Sequence, residues 1–352
     1  MTLVPPDDVE RPLVIHGEAL ETMRRLPDGC VNLVLVDPPY FRVKGDAWDR
    51  QWSSAAEFLG WMGTLADEWR RLLAPNGSLY VFASPQMAAR VEMVIRERFE
   101  VIGTPVWLKD AGWHKKADIP TLRTYFPATE RIIFAEQLGA DSMAMGESGY
   151  EAECERLRGF VFEPLRAYIC GEFERAGMLN TAGKIAANVA CGFSASAGGM
   201  ASRHYFSRSQ WWLPTEEHYA ALADLLGPGY LRREYEDLRR PFSVSAEVPY
   251  TDVWTYPTVA HYPGKHPCEK PREMIADIIR ASSRPGDLVL DCFLGSGVTG
   301  EQAVTLGRRF VGIEMGDYVH AARRRIANAV STPEATAEAN KHVEPGGQLG
   351  LL

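Results

Sequence analysis

Short apolar runs alternate with stretches of helical periodicity along most of the chain. Val31–Val36 is apolar and rich in β-branched residues, and residues 78–83, 287–292 and 309–314 have a similar character. Runs of this length and composition are typical of buried parallel strands. Residues 57–73 carry apolar side chains at helical spacing, which predicts an amphipathic helix with its tryptophans in the core. The alternation predicts a doubly wound, mostly parallel α/β sheet.

Further elements of both kinds complete this prediction. Strands are expected over residues 101–108 and 131–135, the second of them parallel or antiparallel to its neighbours. Helices are expected over residues 20–26, 87–99, 273–282 and 318–329. The turn-forming residues Pro75-Asn76-Gly77 predict a break between the helix at 57–73 and the next strand.

The strand pattern disappears between about residue 139 and residue 248. Helical patterns replace it at residues 151–175, 181–190, 215–226 and 230–240, with a shorter one near 199–205. A helix, a turn and a short helix followed by basic and aromatic residues fit a helix-turn-helix-like reader of DNA. A plain helical insertion fits them equally well.

The predicted strand Val31–Val36 ends in Asp37-Pro38-Pro39-Tyr40. Proline has no amide hydrogen to donate, so the strand must stop there, at the sheet edge where ligands bind in open α/β folds. The Asp37 carboxylate and the Pro38 carbonyl could accept both hydrogens of an exocyclic amine while Tyr40 stacks on its ring. A duplex base reaches such a pocket only by rotating out of the helix. The alternative is a Pro-Pro turn with a capping aspartate.

A second predicted strand, residues 287–292, runs into a glycine turn and then a helical stretch. Strand, glycine turn and helix form a nucleotide-type cofactor site, and a Gly-x-Gly pattern without a third glycine favours a cofactor that lacks pyrophosphate. The strand at 309–314 ends in Glu314, whose carboxylate could bond two ribose hydroxyls. An ordinary tight turn is the alternative. The candidate cofactor residues here are Asp291, Phe293, Gly295, Ser296, Gly297, Thr299 and Glu314.

The two motifs together resemble the β class of amino-group DNA methyltransferases, which use S-adenosylmethionine. In that class the catalytic tetrapeptide comes before the cofactor loop, and here 254 positions separate Asp37 from Asp291. An aspartate-led tetrapeptide implies adenine N6 as the acceptor, and a serine-led one cytosine N4. The resemblance implies Asp37, Pro38, Pro39 and Tyr40 as catalytic residues and a homodimer as the assembly.

Two shorter segments extend the resemblance. Residues 266–271 are similar to the family's His-Pro-x-x-Lys-Pro segment, which implies that Lys270 lies near the methionine end of the cofactor and adds His266 to the cofactor residues. Residues 17–20 are similar to a Gly-Asp-Ala-Leu segment near the cofactor adenine, which adds Ala19. Glu18 stands where the family has aspartate.

These motifs divide the chain into parts. We predict a catalytic half at 12–136, a helical target-recognition region at 137–247, a cofactor-binding half at 248–330 and a disordered tail at 331–352. The middle region is assigned to target recognition because both motifs lie outside it. The tail is polar, with proline and glycine.

Charge argues against a nucleic-acid partner at first, because the formal net charge is −8 and DNA-binding proteins present a basic face. Two segments, 109–131 and 203–212, nevertheless combine basic and aromatic residues, which suit phosphate contact and base stacking, or else are solvated loops with core aromatics. Residues 41–52 are either a mobile loop over the base or an ordered connection. The candidate contacts to double-stranded DNA are Arg42, Lys44, Lys115, Lys116, Arg123, Arg203, His204 and Arg208.

Other features exclude several classes of protein. The six cysteines are scattered without a Cys-x-x-Cys pair, which predicts reduced thiols in a cytoplasm and no zinc site. No apolar run has membrane-spanning length, and the first ten residues lack a signal-peptide pattern. Three other functions stay open: a cytosine-N4 or RNA amino methyltransferase, a non-catalytic DNA-binding regulator and a nicotinamide-dependent oxidoreductase.

Overall fold

A computed structural model describes residues 2–43, 49–109, 127–137, 163–208, 210–238 and 251–331, with the single residues Arg123, Tyr125 and Phe242. The chain forms two compact units. The larger one comprises Met1–Glu136 and Phe242–Leu352, and the smaller one Gln137–Pro241. The domain boundaries at 137 and 247 stay a prediction.

The larger unit is built on one sheet, in which nine strands are described. The strands are β1 Leu13–His16, β2 Val31–Val36, β3 Leu73–Ala83, β4 Phe99–Gly103, β5 Val106–Leu108, β6 Thr129–Gln137, β7 Val253–Trp254, β8 Leu288–Asp291 and β9 Arg309–Glu314. Their order is β1-β9-β8-β2-β3-β6-β5-β7, and β4 pairs with β6. Neighbouring strands in the spatial series β1, β9, β8, β2 and β3 are parallel to each other. Strand β6 is antiparallel to both of its neighbours β3 and β5. The mostly parallel α/β fold is therefore confirmed.

Helices cover both faces of this sheet, and the central strand β2 is therefore buried on both sides. Val34 and Val36 belong to one apolar core and Leu33 and Leu35 to the other, and all four are at most 1% exposed. The helices of this unit are α1 Ala19–Met23, α2 Ala55–Leu72, α3 Ala88–Arg96, α8 Arg272–Ser282, α9 Val298–Thr305 and α10 Tyr318–Val330. None of the described helices is long and apolar enough to cross a membrane.

Two strands differ from their predictions. β3 begins at Leu73, directly after α2, so Pro75-Asn76-Gly77 lies inside the strand. The register of the pairing with β2 shifts between Val31↔Leu73 and Leu33↔Ser78. The strand therefore accommodates Pro75-Asn76-Gly77 in an irregularity of the ladder. The strand expected over 101–108 is two strands, because Pro105 cannot donate to a ladder and separates β4 from β5.

Helices are the regular elements of the smaller unit in its described residues from 163 onward. It contains α4 Glu163–Arg175, α5 Thr181–Ala190, a π-helical turn Ser202–Phe206, α6 Glu216–Leu226 and α7 Tyr235–Leu238. The helix starts at Asn180 and Thr215 are confirmed, since each side chain caps its helix by accepting a backbone N–H. The helix expected over 230–240 is limited to α7 within the described residues. Residues 151–162 and the tail from 332 lie outside them.

Candidate functional site

Two strand ends that are far apart in the sequence meet at one edge of the sheet. β2 and β8 are parallel neighbours, with Leu33 paired to Val289 and Val34 to Leu290. Asp37 follows the end of β2 and Cys292 follows the end of β8, so the two predicted motifs lie side by side. The loops after these strands enclose a cavity of about 630 Å³.

Residues of both motifs line this cavity. From the predicted set it contains Asp37, Pro38, Pro39, Tyr40, Phe293, Gly295, Glu314, His266 and Ala19. Lys270, Asp291, Ser296, Gly297 and Thr299 are absent from its wall. The wall also contains Glu18, which stands where the resembling family has aspartate, and residues that were not predicted for the site, among them Gln51, Trp61, Tyr318 and Arg324.

Trp61 corrects the interpretation of α2 as a helix with both tryptophans in the core. Trp69 is fully buried, and its indole N–H donates to Cys292 Sγ at 3.3 Å. Trp61 is half-buried at the cavity wall, with its ring 5.7 Å from that of Phe293. Eight residues turn a helix by roughly two turns and 80°, so the two rings point in different directions. Helical periodicity identifies the buried face of α2, but it does not distinguish residues that pack in the core from residues that line the cavity.

Asp37 belongs to a buried group of charges. Lys270, 5% exposed, forms an ion pair with Asp37 Oδ2 and lies 3.2 Å from Glu130 Oε2. Lys109 forms an ion pair with Glu130 Oε1, and the Tyr40 hydroxyl donates to Glu130 Oε2 at 3.2 Å. Among the described residues, Asp37 Oδ1 is shielded from solvent and no hydrogen bond of standard geometry reaches it, although the neighbouring Tyr40 hydroxyl also acts to lower the pKa of Asp37. An unbonded buried carboxylate oxygen is costly, so the site favours a ligand that brings an N–H donor.

Burial and charge act in opposite directions on these groups. Burial raises the pKa of Asp37, the Lys270 ammonium opposes this, and Glu130 raises it further, so the net direction is upward. Burial disfavours the Lys270 ammonium, but Asp37 and Glu130 outweigh burial and raise its pKa. Burial would raise the pKa of Glu130, but the two lysines outweigh it and lower that pKa. Lys270 is therefore the group that opposes protonation of Asp37.

Glu314 ends β9 and lines the same cavity as Asp37, with β8 between β9 and β2. Its Oε2 accepts from the Gly295 amide at 2.8 Å and its Oε1 from the Gly316 amide at 2.7 Å. Both carboxylate oxygens keep further lone pairs, and the side chain lines the cavity. A neutral diol, such as a ribose, is a suitable donor for these lone pairs.

Asp291 and Thr299 lie beneath the glycine turn. Asp291 is 4% exposed, and its Oδ1 accepts from the Phe293 amide at 3.0 Å. Burial raises the pKa of Asp291 to about 7, against hydrogen bonds from Thr299 and the Phe293 amide. These two side chains therefore hold the turn in shape from below. Arg325 does the same from α10, since its guanidinium donates to the Ser296 carbonyl at 3.0 Å and to Glu269 at 2.7 Å.

Gly297 is required for packing and backbone conformation. Its φ is +82°, and a Cβ there would lie 2.8 Å from the Ala322 Cα in α10. The missing side chain faces α10, and Gly297 is absent from the cavity wall.

We expect Gly297→Ala to lower the free energy of unfolding by about 1–2 kcal/mol through its φ and by roughly 1–3 kcal/mol more through overpacking. Gly29→Ala is the matched control, since Gly29 has φ +63° and nothing within 4 Å of its Cβ position. Denaturant unfolding of both variants measures the difference. Equal losses in the two variants would contradict the packing role.

Comparison with known proteins decides the family. A model of the N6 and N4 methyltransferases, described as "DNA methylase", matches residues 31–324. The chain belongs to this DNA methylase family. DNA adenine methyltransferase YhdJ of Escherichia coli K12 is 26% identical over 322 residues, which cover 90% of this chain and 83% of YhdJ.

Two further matches support less, because one covers only part of the chain and the other has low sequence identity. Type II methyltransferase M2.DpnII of Streptococcus pneumoniae is 47% identical over 79 residues, which cover 21% of this chain and 30% of that protein. The solved structure of the cytosine-N4-specific PvuII DNA methyltransferase matches with a TM-score of 0.51 at 14% identity, covering 96% of this chain and 97% of that one. That likeness shows a shared fold.

The predicted DNA contacts of this DNA methylase are dispersed. Arg42 and Arg123 are exposed in the larger unit, and the Arg42 guanidinium donates to the Ser53 carbonyl at 2.7 Å. In the smaller unit Arg203 and Arg208 are exposed, and the His204 ring stacks on Trp212 at 3.4 Å. Lys44, Lys115 and Lys116 lie outside the described residues.

The segment 41–52 of the DNA methylase is anchored at its second end. Trp52 is 5% exposed and its ring lies 4.6 Å from that of Trp61. Asp49 is fully buried as well. Residues 49–52 therefore form an ordered connection, whereas 44–48 are outside the described residues. Within the described part of the chain, no group of three or more His, Cys, Asp or Glu could hold a metal ion.

Proposed function

We propose that this DNA methylase transfers a methyl group from S-adenosylmethionine to the N6 amino group of adenine in double-stranded DNA. The target base enters the cavity after rotating out of the helix. One observation carries the proposal: Asp37, whose buried Oδ1 receives no hydrogen bond of standard geometry, lines the same cavity as Glu314.

The cavity fits the cofactor by the chemistry of its walls. Glu314 offers acceptors for a ribose, and Phe293, Ala19 and Trp61 offer apolar surface for an adenine ring. Arg324 lies at the rim as a cation without an ion-pair partner among the described residues, which suits a carboxylate. S-adenosylmethionine supplies an electrophilic methyl group when bound.

The residues around Asp37 act on the exocyclic amine of the target base, which is the nucleophile. The lone pair of an aryl amine is delocalised into its ring, so the amine attacks poorly. Asp37 and the Pro38 carbonyl accept its two hydrogens and hold the nitrogen in a geometry that localises the lone pair, and Tyr40 stacks on the base. Catalysis rests on positioning and on preorganised acceptors.

Adenine is favoured over cytosine by two observations. The tetrapeptide begins with aspartate, and YhdJ, which matches over most of both chains, is named as an adenine methyltransferase. Arg203, His204 and Arg208 are proposed to contact DNA from the smaller unit, with Arg42 and Arg123 in the larger one. The resemblance also supports a homodimer, which light scattering of the purified protein tests.

The experiment is methyl transfer from isotopically labelled S-adenosylmethionine to duplex DNA, followed by digestion to nucleosides and mass analysis. We expect labelled N6-methyldeoxyadenosine. Labelled N4-methyldeoxycytidine would overturn the choice of base, and label in RNA offered in parallel but not in DNA would overturn the choice of substrate. No label in any nucleoside would support a non-catalytic DNA-binding role.

Tyr40→Ala is expected to reduce kcat/KM for DNA by roughly 5- to 150-fold, because stacking of a base on an aromatic ring contributes about 1–3 kcal/mol. Tyr40→Phe is the matched control, since it keeps the ring and loses only the hydroxyl that donates to Glu130. Steady-state kinetics on the same duplex compare the two. If Tyr40→Phe loses as much as Tyr40→Ala, the hydroxyl matters and stacking does not.

A further inference from the structure

Lys270 connects the two halves of the larger unit at the catalytic aspartate. It precedes α8, on the cofactor side of the sequence, and its ammonium reaches Asp37, 233 positions away. The side chain is 5% exposed and is absent from the cavity wall. Its ammonium lies 4.9 Å from the centre of the Phe82 ring and 5.7 Å from that of Tyr40. Aromatic rings and carboxylates therefore surround Lys270, beneath the surface that a ligand would touch.

Glu130 holds Lys270 from the other side. It belongs to β6, is 9% exposed, and lies 3.2 Å from the Lys270 ammonium through Oε2. Lys109, which follows β5, forms an ion pair with Glu130 Oε1. Two cations and two anions thus alternate in the order Asp37, Lys270, Glu130 and Lys109. Alternation of this kind offsets the cost of burying each charge.

The arrangement constrains Asp37 in two ways that methyl transfer needs. One carboxylate oxygen is occupied by Lys270, which fixes the side chain and leaves the other oxygen without a hydrogen bond of standard geometry. The adjacent cation also favours the ionised carboxylate, which is the better acceptor for an amine N–H.

We infer that Lys270, anchored by Glu130, is a positioning residue for methyl transfer that fixes Asp37 and favours its charged form. This role differs from the contact with the methionine end of the cofactor that the sequence resemblance implies. It rests on the proposed function, because the rate it governs is that of methyl transfer to the amine.

The pH dependence separates this role from a structural one. Within the described part of the chain, the charged and titratable groups that face Asp37 are Lys270, Glu130, Tyr40 and Asp291, and Cys268 lies beside Lys270 and Tyr40. Removing the Lys270 cation makes Asp37 harder to ionise, so activity is lost at a higher pH as the solution is acidified. Removing the Glu130 anion makes Asp37 easier to ionise, so that loss moves to a lower pH. The two variants therefore shift the acid side of the pH profile in opposite directions.

The experiment uses the full chain with Lys270→Met and Glu130→Gln, and records kcat/KM for duplex DNA against pH together with the calorimetric affinity for S-adenosylmethionine. We expect the acid limb of the profile to move up by about one pH unit in Lys270→Met and down in Glu130→Gln. We expect the affinity for S-adenosylmethionine to stay close to that of the wild type. Should Lys270→Met fail to fold, the isosteric Glu130→Gln carries the test by itself.

Arg308→Met is the matched control. Arg308 is a cation of similar burial, 6% exposed, which donates to the Ser283 carbonyl at 2.7 Å, away from the cavity. We expect it to lose stability without any shift of the pH profile. Weaker S-adenosylmethionine binding with an unmoved acid limb in Lys270→Met would overturn the inference in favour of a cofactor contact. If the acid limb is unmoved in both Lys270→Met and Glu130→Gln, the inference is wrong and the two side chains have only a structural role. A wild type that methylates no DNA while binding S-adenosylmethionine counts against the proposed function instead.

Discussion

Replacing Asp37 with asparagine is expected to slow methyl transfer to DNA by roughly 10²–10³-fold, the cost typical of losing one preorganised polar group in an active site. Asparagine keeps the volume of the side chain and one acceptor oxygen, but it loses the negative charge that Lys270 faces. Single-turnover transfer of labelled methyl groups measures the rate. Because Asp37 follows β2 and Glu314 ends β9, with β8 between these two strands, calorimetry should find the affinity for S-adenosylmethionine nearly unchanged.

The control for Asp37→Asn is Asp67→Asn. Asp67 forms an ion pair with Arg98 at 2.6 Å, and its side chain is 62% exposed, so its removal should change neither rate nor affinity. Loss of both cofactor binding and methyl transfer in a folded Asp37→Asn would contradict the division of the cavity into a base end and a cofactor end.

Glu314→Ala is expected to weaken S-adenosylmethionine binding by roughly 10- to 150-fold. This range corresponds to one lost hydrogen bond to a charged group, about 1.5–3 kcal/mol, because tenfold in affinity corresponds to about 1.4 kcal/mol. The alanine variant loses the acceptors for the ribose. It also leaves the Gly295 and Gly316 amides without the carboxylate that aligns them.

Glu314→Gln gives a graded comparison, because it keeps one acceptor oxygen in nearly the same place. Calorimetric titration with S-adenosylmethionine should rank the proteins as wild type, Glu314→Gln and Glu314→Ala, in order of decreasing affinity. A Glu314→Ala protein that binds the cofactor like the wild type but no longer methylates DNA would show that Glu314 acts on the base.

The sequence predicts the frame of the site because its signals are local. Continuous apolar runs such as Val31–Val36 identify strands buried on both faces, and the prolines after Asp37 mark where that strand ends. Since parallel strands put their carboxyl ends at one edge, two such ends were enough to predict one cavity. The adjacency of β2 and β8 in the structure agrees with this reasoning.

The charge group around Asp37 could not be found in the same way. Lys270 bonds Asp37 across 233 positions and Glu130 bonds Tyr40 across 90 positions. The motif at 266–271 pointed to Lys270 for a cofactor contact, but no local pattern indicated that either charge bonds the residues of the tetrapeptide. A weak signal existed for Glu130, which directly precedes the apolar run at 131–135. An acid at the entry to a buried strand needs a partner.

Other differences arise where tertiary packing outweighs local preference. The breakers Pro75-Asn76-Gly77 predicted the end of an element, but the pairing of β3 with β2 continues past them. Trp61 and Trp69 share one helix and one periodicity, but only Trp69 is wholly in the core. In both cases the deciding contact belongs to a different part of the chain, such as Phe293 for Trp61.

The most direct test is a structure of the full chain with duplex DNA and the methyl-donor analogue sinefungin, in which the distance from the target amine nitrogen to the nearest Asp37 oxygen is measured. We expect an extrahelical adenine with that distance in the hydrogen-bonding range of about 2.7–3.2 Å. The analogue should lie against Glu314 in the same cavity. A base bound elsewhere, with Asp37 beyond reach while the analogue fills the cavity, would contradict the proposed mechanism.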